Sequence, residues 1–179
     1  MKYKSLIFVS TFLLATTAQA KDVDKTIDAA ADGHVDISNV AGEIAVEGWS
    51  RNSVRVEGTL GENVEELVLE RDGDVVTVKV RVPKRSKNKI SSEITVYVPE
   101  ASSIDVSGVS ADIDVEGVTG EQSLHTVSGD VSATAHAAID AHSVSGDVSV
   151  AGDGNVTEVR ANTVSGDVDV SGVNGEISV

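Results

Sequence analysis

The sequence of 179 residues contains no cysteine, only two prolines and few aromatic residues. Without cysteine there is no disulfide, thiol nucleophile, cysteine-ligated zinc or lipid-modified cysteine anchor. Three of the five Phe, Trp and Tyr residues fall within the first twelve positions, which leaves Trp49 and Tyr97 for the rest of the chain. A core built on aromatic side chains is therefore excluded. Valine, in short alternations with Asp, Ser or Glu, takes their place and predicts an all-β chain.

The first twenty residues have the three parts of a secretory signal peptide. Lys2 and Lys4 precede an apolar run at 6–15, and the small-residue site Ala18-Gln19-Ala20 follows. The alternative, a permanent membrane anchor, is disfavoured because the run has about ten residues where a spanning helix needs about twenty. We predict cleavage after Ala20 and an exported, periplasmic or extracellular protein. Loss of Lys2 and Lys4 would change the formal charge from −15 to −17.

A five-residue motif recurs in the C-terminal half. Val127-Ser128-Gly129-Asp130-Val131 returns at 144–148 and 164–168, a degenerate copy stands at 106–109, and related turns stand at 40–44 and 173–177. A recurring unit of roughly 20 residues with two or more strands predicts a β-solenoid (β-helix-like) domain whose coils stack at about 4.8 Å. The predicted structural turns are at Gly42, Gly108, Gly129, Gly146, Gly166 and Gly175.

The preceding region is less regular. No linker divides the chain, so the sequence predicts one domain over 21–179, less regular at 21–105 and most repetitive at 106–179. The alternating segments predict strands at 26–30, 34–38, 43–47, 53–59, 67–71, 74–82 and 90–98.

The Ser-Gly-Asp turns, with His125 and His142 nearby, contain the residue types of a serine hydrolase. Catalysis needs one supported constellation, whereas a motif that occurs three times at coil spacing is better explained as a corner that every coil must turn. A G-x-S-x-G elbow and a βα pattern to carry it are also missing from the sequence. We expect no enzymatic activity and no cofactor.

Asp130, Asp147 and Asp167 are predicted to stack in a column. Unit charges about 4.8 Å apart repel by roughly 0.9 kcal/mol in water, which an exposed column tolerates. The favoured interpretation is a structural turn, and weak, optional calcium binding is the alternative. His125, His142 and Asn162 occupy the same place in three successive units and form a second polar column. Leu124, Ala141 and Ala161 beside them are expected to face inward, so this column is expected to face outward.

Two features are candidates for partner contact. The first is a basic cluster, which either contacts an anionic partner, such as lipid headgroups or cell-wall polymers, or is a solubilising loop that protects a sheet edge. The second is Trp49, which is either an exposed recognition residue or a lid over the core. The acidic composition argues against nucleic-acid binding. The basic cluster comprises Arg81, Lys84, Arg85, Lys87 and Lys89.

Three segments together resemble a known family. The opening at 40–49, the strand Ile94-Thr95-Val96-Tyr97-Val98-Pro99 and the Val-Ser-Gly-Asp-Val motifs are similar to the bacterial putative-adhesin family, a domain of unknown function. The resemblance covers roughly 22–179. It implies a repetitive β-solenoid, an extracytoplasmic location, no enzyme activity and an adhesive role.

The sequence therefore favours an exported, non-enzymatic module that binds, adheres or scaffolds in the cell envelope. Its expected partner is an envelope protein or a cell-surface or cell-wall polymer. The alternative is a periplasmic accessory or sensor subunit of an envelope-stress system that binds another protein.

Overall fold

The computed structural model describes residues 21–83, 90–156 and 158–179. The predicted all-β class is confirmed. Within these ranges there is no helix, and so none that is long and apolar enough to cross a membrane. The predicted signal peptide, 1–20, lies outside the described residues. The strands are β1 (Lys21–Asp28), β2 (His34–Trp49), β3 (Ser53–Leu60), β4 (Glu66–Asp72), β5 (Val75–Arg81), β6 (Ser92–Pro99), β7 (Ser103–Glu116), β8 (Gln122–His125), β9 (Val131–Ala135), β10 (Ile139–Ser145), β11 (Val148–Gly152), β12 (Glu158–Ser165), β13 (Val168–Ser171) and β14 (Glu176–Ser178).

The long strands β2 and β7 organise the fold, because each pairs with its neighbours along two separate stretches. The first stretch of β2 pairs in parallel with β5 and its second stretch pairs with β6. Strand β7 pairs with β2 along both stretches, then with β8 through the first and with β9 through the second. The first face continues through β8, β10, β12 and β14, and the second face through β9, β11 and β13. The chain therefore forms stacked two-faced coils, as in a β-solenoid.

Parallel pairing places equivalent residues of successive coils in columns. Neighbouring parallel strands lie about 4.8 Å apart, so each column is a ladder with that spacing. One column of the first face comprises Ile104, Gln122, Ile139, Val159 and Ile177. One column of the second face comprises Ile113, Val131, Val148 and Val168.

The inward residues of both faces form one hydrophobic core. Alternation fixes which residues these are: in β2, Val35, Ile37, Ile44 and Val46 are buried while their neighbours are more exposed. The largest fully buried side chains are Ile, Leu and Val. Stacked aliphatic columns therefore provide a core without aromatic residues.

The N-terminal end of the stack is built differently. Strands β1, β3 and β6 pair in antiparallel fashion, as do β4 and β5. Charged side chains, including Glu66, Glu70 and Arg71, lie along the outer strand β4. Such charges disfavour edge-to-edge association of sheets.

The structure revises the alignment of the repeats. The N–H of Asp130 donates to Asp112 Oδ1, so Val109-Ser110-Ala111-Asp112 is the counterpart of the Val127–Asp130 segment, three residues later than the predicted copy at 106–109. Gly108, predicted as a turn, instead lies inside β7 and pairs with Asn39. Gly42 does occupy the predicted corner, since it pairs with Ala111.

The segment 173–177 belongs to a different part of the coil. Glu176 pairs with Glu158 at the start of a first-face strand, so Gly175 lies just before β14 and away from the Ser-Gly-Asp corners. The two kinds of turn are alike in sequence because both place glycine before an acidic residue and a branched aliphatic residue.

Candidate binding surface

The corner between the two faces carries the repeated motif, and its aspartates connect successive coils. Asp112 Oδ1 accepts the N–H of Asp130 at 3.0 Å, Asp130 Oδ1 accepts the N–H of Asp147 at 2.8 Å, and Asp147 Oδ1 accepts the N–H of Asp167 at 2.8 Å. Each carboxylate therefore satisfies a backbone donor of the next coil. We call these four residues the aspartate column.

A second ladder lies on the inner side of the same corner. Thr126 Oγ1 donates to the Ala111 carbonyl at 3.0 Å, Ser143 Oγ to the Gly129 carbonyl at 3.0 Å, and Thr163 Oγ1 to the Gly146 carbonyl at 2.9 Å. Thr126 and Ser143 are buried. These hydroxyls satisfy carbonyl groups that the turn removes from regular strand pairing.

Three coils have glycine at this corner because the preceding coil lies too close for a side chain there, whereas Ala111 holds the equivalent position one coil earlier. A Cβ atom on Gly146 would collide with the Gly129 carbonyl, and one on Gly166 would collide with the Gly146 carbonyl. Gly129 has the same relation to the carbonyl of Ala111. In the Ser-Gly-Asp motif, the glycine therefore allows the close approach of the coils, and Asp130 and Asp147 each accept a hydrogen bond from the next coil.

The first valine of each motif points outward. Val109, Val127, Val144 and Val164 are 51%, 48%, 45% and 74% exposed. They are in register, because the N–H of Ser128 donates to the Val109 carbonyl and that of Ser145 to the Val127 carbonyl, while Ser143 and Ser145 pair with Thr163 and Ser165. We call these four residues the valine column.

Sequence reasoning missed both the valine column and the hydroxyl ladder, although the signal for them was present. Leu124, Ala141 and Ala161 were expected to face inward, and they are buried. Strict alternation from Leu124 places His125 outside, Thr126 inside and Val127 outside. Hydrophobicity alone assigns valine to the core, and that assignment conflicts with the alternation.

The predicted polar column lies on the outer first face, next to the valine column. The rings of His125 and His142 stack with centroids 5.3 Å apart and an angle of 8° between their planes. His142 Nε2 lies 2.6 Å from Asp140 Oδ1, and His125 Nε2 lies 3.0 Å from Ser123 Oγ. Among the residues that the structure describes, no three His, Asp or Glu side chains are grouped to hold a metal ion.

A groove of about 370 Å³ crosses the first face beside this column. At its edge His34 Nδ1 lies 2.9 Å from Ser103 Oγ, and His34 Nε2 lies 3.0 Å from Asp36 Oδ1. The residue types are those of a serine hydrolase triad, but the two ring nitrogens have exchanged partners and Asp36 is half exposed. The N–H groups of Ser103 and Ile104 already donate to the Gly33 and Glu121 carbonyls, so neither is free to stabilise an oxyanion.

Trp49 lies on the outer second face. Its ring stacks on Tyr97 with centroids 5.2 Å apart, its Nε1 donates to the Ser53 carbonyl at 2.8 Å, and the Arg51 guanidinium lies 5.0 Å from its centroid. Arg55 lies 6.0 Å from the centroid of Tyr97. The indole is therefore enclosed between an arginine and a second ring at the surface.

Hydrogen bonds around this cluster shift three pKa values. The Arg55 guanidinium binds both oxygens of Asp24 at 2.9 Å, which lowers the pKa of Asp24 and raises that of Arg55. The Tyr97 hydroxyl donates to Glu57 Oε1 at 3.0 Å, and this bond raises the pKa of Tyr97. Asp24 and Arg55 are therefore both charged in the neutral range, and the Tyr97 hydroxyl keeps its proton there.

The basic cluster is described in part. Arg81 Nη1 pairs with Glu66 Oε1 at 2.8 Å across the β4–β5 pair. Lys84, Arg85, Lys87 and Lys89 lie outside the described residues.

The chain has the fold of a solved structure described as a putative cell adhesion protein from Clostridium sporogenes ATCC 15579. The TM-score is 0.68 at 10% identity, over 87% of this chain and 100% of that chain. Putative adhesins from Parabacteroides merdae ATCC 43184 and Bacteroides fragilis NCTC 9343 match with TM-scores of 0.37 and 0.34 and identities of 11% and 13%, over 88% and 90% of this chain and 93% and 98% of theirs. No curated protein matches the chain. The model of the Toastrack DUF4097 family matches residues 21–179, and the chain therefore belongs to that family, as its resemblance to the putative adhesins predicted.

Proposed function

We propose that this protein is an exported, non-enzymatic binding module of the cell envelope, and that it contacts its partner along the corner between its two faces. The valine column carries the proposal. These side chains are about half exposed or more, so they add little to the core. Single exposed apolar residues are ordinary, whereas an apolar ladder in register over four coils indicates a contact surface.

The absence of enzymatic activity is supported by what the candidate catalytic residues already do. The motif aspartates accept backbone N–H groups, and the hydroxyls of Thr126, Ser143 and Thr163 donate to carbonyls. The Ser103–His34–Asp36 line has no free backbone donor from Ser103 or Ile104. Export is supported by the signal-peptide pattern of the first twenty residues, and an adhesive role by the description of the Clostridium protein.

Crosslinking in intact cells tests this function. The full-length chain, tagged at its C terminus, is expressed in its source bacterium, crosslinked and purified from cell fractions. We expect recovery outside the cytoplasm, an N terminus that begins at Lys21, and a covalent adduct with an envelope protein or polymer. Recovery of the intact chain from the cytoplasm, or of an exported chain without an adduct, would overturn the proposal.

A further inference from the structure

We infer that the valine column is a docking site for a basic amphipathic segment of a protein partner, an inference that rests on the proposed binding function. The partner segment has apolar side chains that cover the valines, and lysine or arginine beside them that meets the aspartate column. Three lines of structural observation define this chemistry: the apolar ladder, the acidic flank and the local charge balance.

The apolar ladder gives the site its shape. With coils about 4.8 Å apart, the four valines span roughly 14 Å. A helix rises about 5.4 Å per turn, so apolar residues on successive turns of a partner helix nearly match the valine spacing. A cavity of about 220 Å³ at the first valine has Val40, Val80, Val109 and Lys79 in its lining, and it offers room for an apolar anchoring side chain of the partner.

The acidic flank gives the site its charge. An aspartate of the aspartate column follows each valine by three residues, as Asp130 follows Val127 and Asp147 follows Val144. The coil-to-coil hydrogen bond uses Oδ1 of Asp112, Asp130 and Asp147, and these bonds lie at the exposed surface. A cationic group that approaches the valines therefore meets carboxylates at every coil.

The local charge balance favours a basic partner over a second copy of this chain. Residues 101–179 contain 13 acidic residues and one Lys or Arg, Arg160, which pairs with Glu158. A second copy that placed its own valine column against this one would bring two aspartate columns together, and the resulting repulsion opposes self-association. A basic partner gains attraction from the same field and buries the valines at the same time.

The test measures binding of a fluorescein-labelled leucine–lysine amphipathic peptide to the purified protein by fluorescence anisotropy. Val127→Asn/Val144→Asn removes the centre of the valine column. Ser132→Asn/Ser149→Asn is the matched control, because it changes exposed residues of the second face in strands β9 and β11. Circular dichroism verifies that all variants remain folded.

We expect the valine variant to weaken peptide binding about tenfold and the serine control to leave it unchanged. We also expect Asp130→Asn/Asp147→Asn to weaken binding and reduce its salt dependence, whereas Glu116→Gln/Asp169→Asn, with the same charge change, has little effect. Equal binding by the wild type and the valine variant overturns the inference, as does equal loss in the two charge variants, because that result indicates attraction to net charge alone.

Failure of this inference is distinguishable from failure of the proposed function. If the Val127→Asn/Val144→Asn chain forms the same envelope adduct in cells as the wild type, the valine column is not the docking site and the contact does not lie at this corner, although the protein is an exported binding module. If the exported wild-type chain forms no adduct, the proposed function fails, and the inference that depends on it fails as well.

Discussion

At the corner, side chains on the outer and inner sides of the turn form different hydrogen bonds. The Asp147 carboxylate accepts the Asp167 N–H through Oδ1, and the Ser143 hydroxyl donates to a carbonyl on the inner side of the same turn. A column of like charges is tolerated because it is exposed to water and each of its first three members binds the next coil.

Two substitutions of Asp147 distinguish the effect of its hydrogen bond on stability from the effect of its charge. Asp147→Ala removes the acceptor and is expected to cost about 1 kcal/mol, which lowers the melting temperature by roughly 2–4 °C in a chain of this size. Asp147→Asn keeps Oδ1 and removes one charge from the column, so its melting temperature should equal or exceed that of the wild type. Equal losses in the two variants would show that the charge, not the acceptor, stabilises the corner.

Asp153 has the most strongly lowered carboxyl pKa in the described chain, about 2. The hydrogen bond from His136 is the largest cause, followed by the backbone and side-chain bonds from Asn155. A carboxyl whose folded pKa lies below its unfolded value, about 3.9, contributes stability above that value and loses it as the pH falls towards 2.

Carbon-13 NMR titration of the Asp153 carboxyl group tests this assignment. We expect a midpoint near 2 in the wild type and a midpoint closer to the ordinary value in His136→Ala. An unshifted midpoint in the wild type would contradict the assigned hydrogen bonds.

At the scale of elements, the sequence predicts strands better than it predicts corners. The predicted strand at 53–59 corresponds closely to β3, where alternation and burial agree at Val54 and Val56. The predicted strand at 67–71 corresponds to β4, although its burial does not alternate. The predicted strands at 34–38 and 43–47 form the single strand β2, since Gly42, with a φ of 114°, allows the chain to turn without ending its pairing. Which face each valine occupies depends on where the chain turns, and a motif such as Val-Ser-Gly-Asp-Val contains both an exposed and a buried valine.

Glycine should be difficult to replace at a corner where two coils touch and easy to replace in an open turn elsewhere. Gly146→Ala places a Cβ against the Gly129 carbonyl and is expected to cost about 2 kcal/mol or more. Gly73→Asn is the control, because Gly73 has a φ of 63°, which asparagine tolerates, and open space around its Cβ position. Thermal denaturation should show a clear loss for Gly146→Ala and a small change for Gly73→Asn; similar losses would contradict close packing at the corner.

At the scale of the whole molecule, the core and the exposed corner use separate sets of valines. Both faces contribute aliphatic columns to one core, and the corner presents a second set of valines to solvent. The antiparallel strands at the N-terminal end and the parallel coils that follow share that core, so the corner is held on a continuous scaffold. The exposed valines lie in the strongly acidic C-terminal half, which supports the proposal of a basic partner.

The most direct measurement is thermal denaturation, followed by circular dichroism, of two variants within one motif. Val144 is 45% exposed and Val148, four residues later, is 1% exposed. The account predicts that Val144→Asn lowers the melting temperature by only a few degrees, whereas Val148→Asn buries an unsatisfied amide, costs about 4 kcal/mol or more and unfolds the protein far below the wild-type temperature. Equal losses, or a larger loss for Val144→Asn, would contradict the division of the motif into a surface valine and a core valine.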